Sequence, residues 1–185
     1  MTALNDHEGT FLALVLRLQP TTAYQVAKVY DHSPVTNYKT HKGKIYPIIE
    51  RLVARGWLEK RAVPGDGRGT EQLFCTGAGR LAVRDWVMEI QPDHLLLDDP
   101  LRTKVQSFDL LSRAERLRWV VAAKARLAEK LADLEAYERE VEVPFKAFIH
   151  DNAVRSIRSR MDWLDSLLSA MASEGVAAEG QAAAS

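Results

Sequence analysis

Cations and a tyrosine hydroxyl recur along one short stretch of the chain, residues 39–46. Lys39, Lys42 and Tyr46 are spaced at i, i+3 and i+7, and Lys44 lies nearby, so a helix would present them together. Lysine ammonium groups and tyrosine hydroxyls donate hydrogen bonds to phosphate oxygens. Residues 39–68 contain eight lysines and arginines against three acidic residues, although the formal net charge of the whole chain is +0. Such a local excess attracts a polyanion over roughly one Debye length, which predicts a phosphate-binding surface.

A helix must position these groups, and its apolar stripe is visible in the sequence. The stripe is formed at i, i+3, i+4, i+7 and i+8 by Ile45, Ile48, Ile49, Leu52 and Val53. Thr40 is a candidate N-cap, and Gly56 is a candidate stop. Pro47 leaves two interpretations open. Either the helix is locally relaxed near Gly43, or it begins near Lys44 with Pro47 in its first turn.

The elements around this helix follow a recognisable order. A short buried helix is predicted over residues 10–18, and a second helix over 22–32 begins at a capping box formed by Thr22 and Gln25. Two strand-like runs then flank a glycine-rich turn with Arg68 at its tip, and a further helix begins at Thr76. The turn lacks the Gly-Lys-Ser/Thr ending of a phosphate loop, so we favour a hairpin. Helices followed by a hairpin and a closing helix indicate a winged helix-turn-helix.

Three motifs in this region resemble the DNA-binding domain of PadR-family transcriptional regulators. They are Gly43-Lys-Ile-Tyr-Pro47, Gly56-Trp-Leu-Glu59 and Cys75-Thr-Gly-Ala-Gly-Arg80. The family's usual Gly-Tyr in the second helix is Ala23-Tyr24 here, and its usual Ser-Pro-Gly is His41-Lys42-Gly43. The resemblance covers residues 10–90 and implies a repressor that binds a double-stranded DNA operator and responds to small molecules such as phenolic acids. The spacing and the resemblance together predict DNA contacts by Tyr24, Lys39, Thr40, His41, Lys42, Lys44, Tyr46 and Arg68.

Two long helices are predicted in the second half of the chain. A capping box at Ser112 and Glu115 begins a helix that reaches about Val141, and a second helix covers about 145–172. Their apolar residues recur at heptad-like spacing, so the helices should pack antiparallel. Their combined apolar surface is more than one pair can bury, which predicts a homodimer; the longer PadR members, which end in a similar helix, also dimerise here. The predicted dimerisation residues are Val120, Leu127, Leu134, Ile157, Leu164 and Leu168.

The predicted fold class is mainly α, a winged helix-turn-helix domain followed by a long antiparallel helical dimerisation arm. The expected domains are residues 1–92 and 93–172, with a disordered tail at 173–185 because that segment is rich in Ala, Gly, Ser and Glu. An effector site is predicted near the junction of the two domains, where His94 and Phe108 could hold a planar acid. The alternative is that both residues only pack the joint.

Other functional classes have little support in the sequence. The five histidines are scattered and Cys75 is the single cysteine, so no metal site, no cofactor and no internal disulfide are expected. The paired Asp98 and Asp99 are better explained by a helix N-terminus than by catalysis, and no nucleophile has a neighbouring base. We therefore expect a non-enzymatic, cytoplasmic regulator without a membrane span. The alternative function is a coiled-coil adaptor whose winged helix binds a protein partner rather than DNA.

Overall fold

The computed structural model describes residues 3–34, 42–63, 69–96 and 98–183, and it describes side chains in these ranges except at 42–44 and 174–183. The chain divides into two compact units, Met1–Leu96 and Leu97–Ser185, here called the N-terminal and C-terminal units. The N-terminal unit contains helices α1 to α4 and a two-stranded antiparallel sheet between α3 and α4. The C-terminal unit contains helices α5 to α7.

The first two helices begin at side-chain caps. Helix α1, Asp6–Leu18, starts earlier than predicted because the Asn5 side chain accepts a hydrogen bond from the Glu8 backbone N–H at 3.0 Å. Helix α2, Ala23–His32, has the predicted capping box. In that box the Thr22 hydroxyl accepts from the Gln25 N–H, and the Gln25 side chain accepts from the Thr22 N–H at 2.9 Å.

Helix α3, Lys42–Ala54, includes Pro47 beyond its first turn. The helix therefore begins before Lys44, which was the other predicted start. At Pro47 it lacks the backbone N–H that would otherwise donate to the carbonyl of residue 43. The predicted stop at Gly56 is confirmed, since its φ of 70° is left-handed. Its N–H donates to the Val53 carbonyl at 2.9 Å, and the Trp57 N–H donates to the Leu52 carbonyl at 2.9 Å. These two bonds form a Schellman motif, which satisfies the last carbonyls of α3.

The hairpin and the closing helix follow as predicted. Strands β1, Leu58–Ala62, and β2, Glu71–Cys75, pair antiparallel with Lys60 opposite Leu73. The Leu73 N–H also donates to the Thr21 carbonyl at 2.7 Å, which attaches the hairpin to the connection between α1 and α2. Helix α4, Gly77–Met88, begins at Thr76, whose hydroxyl accepts from the Gly79 N–H.

One hydrophobic core joins these elements. The apolar stripe predicted for α3 is confirmed, because Ile45, Ile48, Ile49 and Leu52 are buried and Val53 packs at the edge of the core. Helix α1 contributes Phe11, Leu12 and Val15, and α4 contributes Val83. Because this stripe packs into the core, the residues on the opposite face of α3 point outward.

The C-terminal unit is an antiparallel helical hairpin with a short preceding helix. Its helices are α5, Pro100–Val105, α6, Arg113–Glu140, and α7, Lys146–Ala183. The predicted capping box at Ser112 and Glu115 begins α6. Lys124 of α6 pairs with Asp165 of α7, and Glu138 pairs with His150, so the helices run in opposite directions. The predicted fold class, a winged helix followed by a helical arm, is confirmed.

The length of α7 and the burial of the predicted dimerisation residues could not be read from the sequence. The backbone of α7 continues to Ala183, where the composition suggested a disordered tail from residue 173; alanine, common in this segment, has the highest helix propensity. Of the six residues predicted to mediate dimerisation, Val120, Leu134, Ile157 and Leu164 are already buried within one chain, and Leu127 and Leu168 are half-buried. Their role in a dimer stays a prediction.

Candidate nucleic-acid interface

Two exposed tyrosines line one cavity in the N-terminal unit. Tyr24 lies in the first turn of α2 and is 67% exposed, and Tyr46 lies on α3 and is 60% exposed. The cavity has a volume of about 270 Å³, and its walls come from α2, α3 and the two strands. Its other lining residues are Thr22, Ala23, Ile49, Lys60, Gly69, Thr70, Glu71 and Leu73.

The local sequence explains why both tyrosines point outward. Tyr46 follows Ile45, which is buried, and precedes the buried Ile48, so the helical period places it off the apolar stripe. Tyr24 comes two residues before the buried Val26. The cavity also reaches Thr22 and Ala23 at the start of α2, where the helix dipole favours anionic groups.

Lys60 ties the hairpin to α3 at the edge of this cavity. Its Nζ lies 2.7 Å from Glu50 Oε1 on α3 and 3.1 Å from Glu71 Oε2 on β2. The hydrogen bond that Lys60 donates to Glu50, followed by the one that it donates to Glu71, raises the pKa of Lys60. The lysine therefore stays protonated, but two acidic groups offset its charge. Lys60 belongs to the basic region of the sequence but was not predicted for the site, because no sequence pattern links residues on three separate elements.

The outer strand β1 carries a second ion pair. Arg61 Nη2 lies 2.9 Å from Glu59 Oε2, and this hydrogen bond lowers the pKa of the Glu59 carboxyl. The Arg61 guanidinium also lies 4.2 Å from the centroid of the Phe74 ring. This cation–π contact holds the Arg61 guanidinium at the surface of the hairpin.

Two arginines of the basic region are engaged by a buried carboxylate. Glu8 of α1, 2% exposed, accepts from Arg51 Nε at 2.7 Å and from Arg55 Nη1 at 3.0 Å. The Arg55 guanidinium lies 5.1 Å from the Trp57 ring centroid. Two of the eight cations in residues 39–68 therefore form ion pairs that connect the C-terminal end of α3 to α1. The available signal was an acidic residue three positions before the apolar run that begins at Phe11, although Asp6 lies in the same first turn of α1.

Most of the other predicted DNA contacts fall outside what the structure describes. Lys39, Thr40, His41 and Arg68 lie outside the described residues. Lys42 and Lys44 belong to the first turn of α3, but their side chains are not described. Their contacts with DNA therefore stay predictions, while Tyr24 and Tyr46 lie around the same cavity.

The two residues predicted to bind an effector each have a partner within their own unit. His94 Nε2 lies 3.2 Å from both Asp6 carboxylate oxygens, and His94 Nδ1 accepts from the Gln91 N–H at 3.1 Å. Trp86 Nε1 donates to the same Asp6 carboxylate at 3.0 Å. Phe108 is 8% exposed in the core of the C-terminal unit. It meets Trp119 edge to face, with ring centroids 5.1 Å apart.

The described part of the chain has neither a metal-binding cluster nor a membrane-spanning helix. Within those ranges, no group of three or more His, Cys, Asp or Glu side chains is placed to hold a metal ion. No helix there combines the length and the apolar character needed to cross a membrane.

The helices, the two-stranded wing and the helical hairpin define a winged-helix protein with a C-terminal helical arm. The fold is that of PadR and PadR-like transcriptional regulators over most of the chain. Bacillus subtilis PadR in complex with operator DNA is similar with a TM-score of 0.77 and 19% identity, covering 90% of this chain and 99% of that one. The same protein in complex with p-coumaric acid gives a TM-score of 0.69 and 18% identity, covering 91% and 98%.

A further solved relative supports the same assignment. A PadR-like transcriptional regulator from Bacillus cereus has a TM-score of 0.71 and 17% identity, covering 92% of this chain and 98% of that one. No family model and no curated protein matches the sequence. At these identities the likeness is one of fold, and at that level it confirms the resemblance predicted from the motifs.

Proposed function

We propose that this protein is a DNA-binding transcriptional regulator that acts as a homodimeric repressor and releases its operator in response to a small molecule. One observation carries the DNA-binding part. Tyr24 and Tyr46 are both exposed, and they line the same cavity beside the hairpin. Two hydroxyl donors from neighbouring helices, next to a helix N-terminus, suit the phosphate backbone of a duplex.

Two lysines at the start of α3 also support DNA binding by this surface. Lys42 and Lys44 belong to the first turn of that helix, on the same element as Tyr46. Three other cations of the basic region are already engaged in the described part of the chain, because Arg51 and Arg55 pair with Glu8 and Lys60 pairs with two acids. We propose that Lys39, Lys42, Lys44 and Arg68 contact phosphate and that Thr40 and His41 lie beside them.

The repressor and effector parts of the proposal come from the structural relatives. Bacillus subtilis PadR has been solved with operator DNA and with p-coumaric acid, and its fold matches this chain over most of its length. We propose the same two kinds of ligand for this protein. We also propose that it functions in the cytoplasm, where its operator DNA would lie, and that it catalyses no reaction.

Homodimerisation would use apolar surface that a single chain leaves uncovered. The residues first predicted for this role are largely buried between α6 and α7. At the beginning of α7, by contrast, Phe148 is 76% exposed and lies beside Ile149, and Phe145, directly before the helix, is 79% exposed. Clustered exposed aromatic residues are typical of an interaction surface. We propose that this cluster contributes to contact with a second copy.

Salt dependence of binding to duplex DNA tests the proposal. The probe is a labelled duplex from the region upstream of the protein's own gene, with a scrambled duplex of the same length as control. We expect tighter binding to the upstream duplex, and we expect the affinity for both to fall as salt rises because cations on the protein displace counterions from phosphate. Absence of salt-sensitive binding to either duplex would instead support the adaptor with a protein partner.

A further inference from the structure

Two exposed acidic residues lie on the surface that we propose for DNA. Glu50 follows Tyr46 by four residues on α3, so the two side chains share one face of that helix, and both are exposed. Glu71, exposed at the start of β2, lines the cavity that contains Tyr24 and Tyr46. A free carboxylate at such a surface repels the phosphates of a duplex. Binding of DNA here therefore requires that these two acidic groups be restrained or neutralised.

The register of the hairpin places Lys60 between these two carboxylates. Lys60 lies opposite the buried Leu73, and residues that lie opposite each other in an antiparallel pair share one face of the sheet. Glu71 belongs to the same face, because it is two residues from Leu73 on β2. From this face Lys60 Nζ lies 2.7 Å from Glu50 Oε1 and 3.1 Å from Glu71 Oε2. One ammonium group therefore binds a carboxylate on each of two elements.

These two contacts change what the surface presents to a polyanion. The lysine offsets the charge of one carboxylate, and its hydrogen bonds to both hold them against the hairpin. The same hydrogen bonds, the one to Glu50 before the one to Glu71, raise the pKa of Lys60, so it stays charged at neutral pH. Without the lysine, both flexible glutamate side chains could extend toward the duplex.

The environment of Lys60 favours restraint of the acids over direct contact with phosphate. Its side chain is only 25% exposed, whereas those of Glu50 and Glu71 are 63% and 52% exposed. To reach a phosphate, the lysine would have to leave both carboxylates, which would then lie unpaired beside the phosphate. Contact with DNA by Lys60 would thus create the repulsion that its present position prevents.

We propose that Lys60 is a positioning residue for DNA binding, which holds Glu50 and Glu71 away from the phosphates and does not itself contact the duplex. This role rests on the proposed function, because it exists only if the surface binds DNA. It adds an electrostatic restraint, formed by residues from α3 and both strands, to the donors already proposed there.

Duplex affinity of the full chain and three variants, measured by fluorescence anisotropy, tests this role. Lys60→Met should weaken binding about tenfold, because both carboxylates are released near the phosphates. Glu50→Gln/Glu71→Gln should bind at least as tightly as wild type, because the repulsion is removed. In this glutamine background, Lys60→Met should weaken binding by less than about threefold, since no carboxylate is left to be released.

The glutamine background separates this role from two others. If Lys60 contacts phosphate directly, Lys60→Met should weaken binding equally in both backgrounds and lower the salt slope by about one in each. If the ion pairs only fasten the hairpin to α3, Glu50→Gln/Glu71→Gln should itself bind more weakly than wild type. Either result would overturn the proposal. The glutamine pair keeps the proposal testable if Lys60→Met fails to fold, which urea unfolding would show.

Two further variants control for charge. Lys60→Arg keeps the cation and its donors, so it should bind duplex within about threefold of wild type. Lys124→Met removes one positive charge from an ion pair with Asp165 in the C-terminal unit, and it should bind as wild type does. A loss in Lys124→Met equal to that in Lys60→Met would attribute the effect to net charge and overturn the positioning role.

The wild-type protein distinguishes failure of this role from failure of the proposed function. Absence of salt-sensitive duplex binding by wild type would contradict both the regulator and the role of Lys60. Duplex binding by wild type, with the same affinity in a folded Lys60→Met, would contradict the role of Lys60 alone.

Discussion

Arg51 and Glu8 join α3 to α1 through a hydrogen bond of 2.7 Å between Arg51 Nε and Glu8 Oε1. The two partners differ in environment, because the Glu8 side chain is 2% exposed and the Arg51 side chain is 48% exposed. Arg55 donates to the other Glu8 oxygen at 3.0 Å. A buried carboxylate needs such partners, whereas the arginines can return to water. The pair therefore holds the C-terminal end of α3 in place from one side.

This asymmetry leads to the first prediction. The double variant Arg51→Met/Arg55→Met leaves the Glu8 carboxylate buried without a partner, and we expect it to lower the free energy of unfolding by about 3 kcal/mol. Glu8→Gln should cost less, because the arginines left behind remain partly exposed and solvated. Urea unfolding measures both. Arg84→Met, at a side chain that is 73% exposed, is the control. A larger loss for Glu8→Gln than for the double variant would contradict the explanation.

The second prediction concerns the packing of α1 against α4. A Cβ at Gly9 would overlap the indole of Trp86, so α1 approaches α4 only because residue 9 has no side chain. We expect Gly9→Ala to destabilise the protein by roughly 1–3 kcal/mol, the usual cost of overpacking a core.

Gly77 offers a matched control for this test. Apart from its chain neighbours and the backbone of its own helix, nothing in the described residues lies within 4 Å of a Cβ placed at Gly77, the first residue of α4. Gly77→Ala should therefore stabilise the protein, by about 0.4–1 kcal/mol, since alanine restricts the unfolded chain. The thermal unfolding midpoints of the two variants should shift in opposite directions. A higher midpoint for Gly9→Ala would show that α1 and α4 do not need a glycine at position 9 to pack together.

The third prediction separates neutral from charged contacts with DNA. Tyr46→Phe and Tyr24→Phe should each weaken duplex binding about fivefold, by loss of one hydrogen bond, without changing the salt dependence. Lys42→Ala and Lys44→Ala should instead lower the slope of log affinity against log salt by about one.

Fluorescence anisotropy over a salt series measures both effects. Tyr137→Phe on α6 is the control, since that residue belongs to the C-terminal unit. Unaltered slopes in both lysine variants would remove the first turn of α3 from the proposed interface. Wild-type affinity in both tyrosine variants would remove the hydroxyl contacts.

The fourth prediction tests the apolar cluster at the beginning of α7. Phe148 is 76% exposed, so Phe148→Ser should leave the unfolding of a single chain nearly unchanged. We expect it to weaken self-association by about tenfold or more, because a buried interface aromatic commonly contributes about 2 kcal/mol or more. Analytical ultracentrifugation over a concentration series gives the dimer dissociation constant. Leu110→Ser, at a residue that is 80% exposed, is the control, and an identical constant for wild type and Phe148→Ser would exclude this surface from the dimer.

Local features of the fold were predictable from the sequence. The capping boxes at Thr22 and Ser112, the stop at Gly56 and the buried stripe of α3 all occur where the sequence analysis placed them. Each depends on residues within about one or two helical turns, whose spacing decides which side chains and backbone groups meet. The outward direction of Tyr46 follows from the same period.

Contacts between distant segments were decided by the tertiary structure. Nothing in the spacing of the chain joins Glu8 to Arg51, encloses Lys60 between Glu50 and Glu71, or brings Asp99 to Arg160. Leu81 and Met88, apolar residues of α4, are exposed, while Gly79 and Val83 face the core. The sequence defines which side chains are available and which local structures they favour. Packing alone decides which charges meet and which apolar faces remain open, because those outcomes depend on the relative positions of whole elements.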